Sequence, residues 1–280
     1  MFKTLISVLC LAALASPVFC GEARPAAKPL KNKVIMLATT TSVQDTGLLD
    51  VLIDAFQKSS GYTVKAVALG SGQAMQLGKT GEADILWVHS PEDEAQFVAE
   101  GYGKDRTTFM HNDFVVLGPA SDPAKIKGEK KAADAFAKIA SSGAPFISRG
   151  DKSGTHKKEL KLWEAAKVKP AAGKYIEAGQ GMAAVVEMAN EKEAYCLADR
   201  STYLSLKKSI GLQILSEGDE ALLNRYSLIL VNTEKFPKVN AEGAKAFFDF
   251  LLSKKAKKII EKFGVEKYGK QLFFFDYKAR

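Results

Sequence analysis

Val34-Ile35-Met36-Leu37-Ala38 runs directly into Thr39-Thr40-Thr41-Ser42 and then into Gly47-Leu48-Leu49-Asp50-Val51-Leu52-Ile53-Asp54-Ala55-Phe56. The first run reads as a buried strand and the last as an amphipathic helix, which makes the hydroxyl-rich segment between them a strand-to-helix turn. The same grammar returns where Phe146-Ile147 leads into Ser148-Arg149-Gly150-Asp151-Lys152-Ser153-Gly154-Thr155-His156 and a second amphipathic helix. Working outward, strand candidates fall at 34–38, 63–68, 85–88, 114–117, 146–148, 175–177, 195–198, 212–215 and 227–231, with helical periodicity between most of them. This alternation predicts an α/β fold with mostly parallel sheets.

Two distant passages, 112–119 and 225–232, share a polar or charged start, an apolar run and a turn signal. They read as paired crossover strands. The chain then builds one lobe from 28–113 and 229–280, closing with a helix over 241–263, and a second lobe from 114–228. A cleft between lobes follows, and ligand sites favour such interfaces and the carboxyl ends of parallel strands.

The turns carry the chemistry. The first four N–H groups of a helix lack intrahelical partners, and the dipole places partial positive charge there, so an oxyanion is a natural partner. Arg149 adds a bidentate, charge-assisted donor. Singly, Ser42, Ser153 or Thr155 reads as an ordinary helix cap; two such cradles in one chain favour a shared anion. A third turn of the same kind is Gly70-Ser71-Gly72-Gln73-Ala74, where Gly72 permits close backbone approach. A fourth, Gly179-Gln180-Gly181-Met182, reads first as a plain chain reversal.

Lys3, the apolar stretch 4–15 and Ser16-Pro17 match the parts of a secretory signal peptide, with cleavage expected between about 16 and 27. Residues 1–27 therefore read as signal and flexible lead, and the protein as periplasmic. The bulky Phe19 stands where a lipobox wants a small residue, which argues against acylation of Cys20. Cys10 and Cys20 lie in or beside this segment, leaving Cys196 without an intramolecular disulfide partner. The net charge of +8 is spread over amphipathic stretches interleaved with Glu and Asp, densest at Lys254-Lys255-Ala256-Lys257-Lys258. No nucleic-acid motif or stacking platform accompanies it, so no nucleic-acid partner is expected; a basic field can steer a small anion.

Taken in order, the 39–42 turn with Asp45-Thr46-Gly47-Leu48-Leu49, Ser71-Gly72-Gln73-Ala74, Ala83-Asp84-Ile85-Leu86 with His89-Ser90-Pro91, and 148–156 leading to Leu162-Trp163 resemble the tungstate-binding members of the periplasmic solute-binding proteins for tetrahedral oxyanions, which serve bacterial ABC importers. Gly181-Met182, Leu197-Ala198-Asp199-Arg200 and Thr202-Tyr203 extend the likeness, which covers about 34–275. Trp87 departs from it, standing where a smaller aliphatic residue is expected, as a core or lobe-surface variation. The resemblance implies a two-lobe periplasmic-binding-protein fold of type II-like build, hinged on two crossover strands. It implies a monomer that captures tungstate, and molybdate as a second candidate, and hands it to an ABC permease. Ligand contacts are then expected from Thr40, Thr41, Ser42, Ser71, Gly72, Arg149, Ser153, Gly154 and Thr155, with Thr39, Gln180, Gly181 and Met182 as further members. The resemblance implies neither a cofactor nor a metal cation.

A pocket made of donors suits a fully ionised oxyanion, since a buried dianion needs a donor on nearly every lone pair. Hydrogen phosphate wants an acceptor for its proton. Asp151 decides between them: inside the pocket it favours phosphate, whereas paired with Arg149 or Lys152 outside it favours tungstate, molybdate or sulfate. The second arrangement is expected. A secreted hydrolase is the competing class, because Ser, His and Asp all occur at 148–156. Their crowding into one segment and the absence of a Gly-x-Ser-x-Gly elbow argue against it. Three scattered His and one Cys lack metal-ligand spacing.

Overall fold

A computed structural model describes residues 32–170 and 172–278. The expected targeting segment at 1–27, with Cys10 and Cys20, lies outside the described residues, as do 28–31 at the expected start of the first lobe. In chain order the elements are β1 (Val34–Thr40), α1 (Thr41–Asp45), α2 (Leu48–Ser60), β2 (Thr63–Leu69), α3 (Ser71–Thr80), β3 (Ile85–Val88), α4 (Pro91–Ala99), β4 (Gly103–Gly118), α5 (Ala132–Ser142), β5 (Phe146–Ser148) and α6 (Gly154–Ala165). They continue as β6 (Tyr175–Glu177), α7 (Met182–Glu191), β7 (Tyr195–Asp199), α8 (Arg200–Leu206), β8 (Gln213–Ser216), β9 (Leu223–Val231), α9 (Ala241–Leu251), α10 (Lys254–Lys262), α11 (Val265–Tyr268) and β10 (Phe274–Phe275).

The α/β alternation is present, but the sheet is mixed where mostly parallel sheets were expected. β1 pairs in parallel with β2 and β3, and β5 with β6 and β7. β9 runs antiparallel to β3 and β4, and β4 antiparallel to β7, β8 and β10. The cause is the pair of long strands, which enter each parallel set from the opposite direction. β4 starts well before the expected 112, and its polar opening, Lys104-Asp105-Arg106-Thr107, hides the strand from an apolar-run search. It pairs with β9 from Gly103↔Val231 to Asp113↔Leu223, then changes partner, so that Phe114 faces Asp199 of β7. Arg200 marks that change of partner: Nε donates to Asp113 Oδ1 at 2.8 Å, and Nη1 lies 2.8 Å from Glu217.

Period-two alternation explains how the β4–β7–β5 sector is buried on both faces. Phe114, Val116, Phe146, Tyr195 and Leu197 join one core with α5 and α6, where Trp163 lies edge-on to Phe136 and Phe146. Val115, Leu117, Ile147, Cys196 and Ala198 join another with Val185 and Val186 of α7.

Two further expectations are corrected. The run 241–263 is two helices, because Ser253 caps a new one by accepting the Ala256 N–H at 3.2 Å. Thr39 and Thr40 belong to β1, and a five-residue α1 precedes α2, which Gly47 opens in the left-handed region (φ 79°). Trp87 is core: it is fully buried, edge-on to Phe109, and its carbonyl accepts the Thr39 hydroxyl at 2.9 Å.

Candidate functional site

Parallel pairing aligns strand ends, and this positions the turns. The register Thr40↔Leu69 and Thr39↔Trp87 puts the ends of β1, β2 and β3 side by side, which gathers Thr40-Thr41, Gly70-Ser71-Gly72 and His89-Ser90 along one edge. Pairing of β5 with β6 and β7 likewise gathers 149–155, 178–182 and 200–202. The two sets meet at His89 and Gly154: a Cβ placed on Gly154 would stand 2.4 Å from His89 Cε1.

Beside that contact is a cleft of about 100 Å³. Arg149, Thr155 and Met182 line it together with Asp199, Ser201 and Thr202 at the start of α8, Thr46 and Tyr268 line it as well, and His89, Asn112, Asn224 and Tyr226 form a polar floor. The floor is a connected network. Asn224 Nδ2 donates to Asn112 Oδ1 at 2.9 Å and to the Tyr226 hydroxyl at 2.8 Å, and its Oδ1 accepts from His89 Nδ1 at 2.8 Å. Burial holds His89 at about 4, so the ring is neutral at physiological pH.

The N-terminus of α6 supplies donors. Ser153 is its cap, with Oγ accepting the His156 N–H at 3.3 Å, and Gly154 and Thr155 form the first open turn. The Ser153 oxygen accepts in the cap, and its one hydroxyl hydrogen is directed at Asp151. Arg149 is largely buried; its Nε donates to Asp151 Oδ2 at 3.0 Å and Nη2 reaches the same oxygen. Burial alone would raise the Asp151 carboxyl, but the Ser153 hydroxyl, the Ser153 N–H and the Arg149 guanidinium outweigh it and hold it below the usual carboxylate range. Asp151 is thus paired with Arg149 as expected, and it does not line the cleft.

Of the expected site residues, Arg149, Thr155 and Met182 come together in the cleft. Thr40, Thr41, Ser71 and Gly72 do not line it; they sit on the neighbouring edge, where Ser71 is buried and its hydroxyl has no hydrogen-bond partner. Ser42 lies in α1, and its side chain is outside the described ones. Thr39 is corrected: its only hydroxyl hydrogen is engaged by Trp87, inside the sheet. Gln180 and Gly181 are exposed before α7. Sequence reasoning missed Thr46, Tyr268 and the Asn112–Asn224–Tyr226 floor. The only available signal was the polar start of the two crossover passages.

A larger groove of about 430 Å³ adjoins the cleft between α4 and α6. Lys157–Asp93 (2.8 Å) and Lys161–Glu92 (2.6 Å) bridge it, and Lys158 donates to the Ala221 and Leu223 carbonyls at 2.9 and 3.2 Å, so these cations are already engaged by the protein. The histidines have assigned neighbours: His111 pairs with Asp276, and His156 Nδ1 accepts the Lys152 N–H at 3.0 Å. No cluster of three metal-ligating side chains occurs among the described residues.

A family profile described as a PBP superfamily domain matches residues 26–255. The tungstate-binding protein TupA of Peptoclostridium acidaminophilum is 47% identical over 275 residues, covering 96% of each chain. The chain is a member of the TupA family within the PBP superfamily. Solved structures of similar proteins agree with this TupA-family fold. The tungstate-binding TupA of Desulfovibrio alaskensis matches with a TM-score of 0.79 at 42% identity, over 88% of this chain and 99% of that one. A crystal structure described as the tungstate ABC transporter from Geobacter sulfurreducens matches with a TM-score of 0.73 at 46% identity, over 81% and 97%.

Proposed function

We propose that this TupA-family chain captures tungstate, with molybdate as the nearest competitor, in the cleft beside Arg149 and the α6 N-terminus. The observation that carries the reading is the Arg149–Asp151 pair beside an open helix turn. Asp151 is occupied by donors outside the cleft, and Asp199, the carboxylate that does line it, already accepts from the Ser201 and Thr202 hydroxyls and the Thr202 N–H, so neither is left to accept the proton of hydrogen phosphate. That favours a fully ionised oxyanion. Thr155, Gly154 and Ser153 supply the open turn, and Thr40, Thr41, Ser42, Ser71 and Gly72 the facing edge, with Gln180, Gly181 and Met182 at the rim. The partnerless Ser71 hydroxyl supports a donor role there.

In this reading 28–113 with 229–280 and 114–228 are lobes hinged at β4 and β9. The anion binds the closed form with more donors and shifts the population towards it, and a membrane permease reads the closed surface. Such a protein works as a monomer outside the cytoplasm, exported by the segment at 1–27, and performs no reaction. Among the described residues no helix is long and apolar enough to cross a membrane.

The test is calorimetric titration of the mature chain with tungstate, then with molybdate, sulfate and phosphate as competitors. Tight one-to-one tungstate binding that survives excess sulfate and phosphate is the expected result. A preference for phosphate would move Asp151 into the site, and absence of oxyanion binding would overturn the proposal.

A further inference from the structure

The 149–153 loop has a shape that its own residues do not favour. Gly150 (φ 61°) and Lys152 (φ 58°) are both left-handed, and for a lysine that conformation costs roughly 1 kcal/mol or more. Hydrogen bonds hold it. Gly179 N–H donates to Arg149 O at 2.9 Å, Gly150 N–H to Ser148 Oγ at 3.2 Å and Ser153 N–H to Asp151 Oδ1 at 3.0 Å. The N–H of the left-handed Lys152 goes to a side chain of the following helix, His156 Nδ1, at 3.0 Å.

That bond fixes the ring's proton. A neutral imidazole accepts through one nitrogen and carries its hydrogen on the other, so Nδ1 as acceptor places the proton on Nε2. His156 Nε2 is buried without a hydrogen-bond partner, and Glu177 Oε1 of β6 stays 3.9 Å away. An N–H left without an acceptor is costly, and the other tautomer would turn Nδ1–H against the Lys152 N–H. The ring therefore contributes one thing that a hydrocarbon of its size would not: an acceptor for Lys152.

We infer that His156 is a positioning residue for oxyanion capture, holding the Arg149 guanidinium in place by accepting the Lys152 N–H from beneath the loop. This rests on the oxyanion reading of the same site. It predicts that affinity and fold stability separate. His156→Leu removes the acceptor but also the partnerless Nε2–H, so the two effects on stability oppose each other while the loop loses its support. His156→Asn restores an acceptor, since Asn Oδ1 occupies the place of Nδ1.

Titration with tungstate and thermal melting of the ligand-free protein test it. His156→Leu is expected to bind about tenfold more weakly or worse, about the worth of one hydrogen bond, at a melting temperature close to that of the wild type. His156→Asn is expected to recover most of the loss. Wild-type affinity in His156→Leu, or equal losses in both variants, would overturn the inference. The third measurement needs neither variant nor ligand: nitrogen-15 NMR of the wild-type histidines, which is to show His156 as the Nε2–H tautomer. The Nδ1–H tautomer would overturn the positioning role. Failure of the wild type to bind any oxyanion would overturn the proposed function instead, leaving the NMR result to judge the loop.

Discussion

The ring of His89 occupies the space that any side chain at 154 would need, with Cε1 2.4 Å from an added Cβ. Gly154 opens α6, and His89 follows β3, so this contact joins the two sets of strand-end turns and limits how closely they approach.

Gly154→Ala should therefore be costly although its backbone conformation is ordinary. Forcing a methyl group into packed surroundings costs typically 1–3 kcal/mol. The His89 ring or the start of α6 must move, and either shift disturbs the cleft. A lower melting temperature together with weaker tungstate binding is expected; a variant unchanged in both would mean that the His89 contact gives way freely.

Arg149→Ala removes the charged fork that lines the cleft. Hydrogen bonds to charged groups contribute about 1.5–3 kcal/mol, so affinity should fall by roughly 10- to 100-fold. Arg149→Lys keeps the charge but loses the planar fork and should recover only part of the affinity. Titration of both variants checks this, and circular dichroism should show the fold intact.

The buried His89 couples stability to pH. The unfolded chain takes up a proton at His89 as pH falls through about 6.5, but the native protein does so only near 4. The unfolded state thus binds more protons across that window, and stability falls as pH drops from 6.5 to 4, by up to about 3 kcal/mol from this group. The loss is complete below about 4. Denaturant melts of the ligand-free protein at a series of pH values should show this slope, and His89→Gln should flatten it.

Lys258 is exposed on α10, and its charge belongs to the basic field and not to the cleft. Lys258→Ala should leave equilibrium affinity within about twofold, because Lys258 does not line the cleft and an exposed charge is screened by solvent and salt. A slower association rate at low salt is compatible with this; a large equilibrium loss would place the site elsewhere.

Most strands of the two parallel sets were legible because each is a short apolar run bounded by turn residues, as at 85–88 and 146–148. The first half of β4 was not, since its charged residues face outward along a strand that only its β9 partner defines. The division at Ser253 was missed because helical periodicity continues across it, and only the cap shows the break.

By itself the sequence determined what neighbours along the chain determine: strand-to-helix turns with hydroxyls and open N–H groups, a guanidinium beside one of them, and an Asp two residues on to pair with it. These are effects of local backbone chemistry. The tertiary structure decided everything that depends on residues far apart in the chain. His89 and Asn224 are 135 positions apart and Asn112 and Asn224 are 112 apart, yet they form one buried network, because the β4–β9 register sets Asn112 opposite Asn224. A buried amide finds its partner through strand register, and register is a property of two segments packed together, which no single stretch of sequence contains.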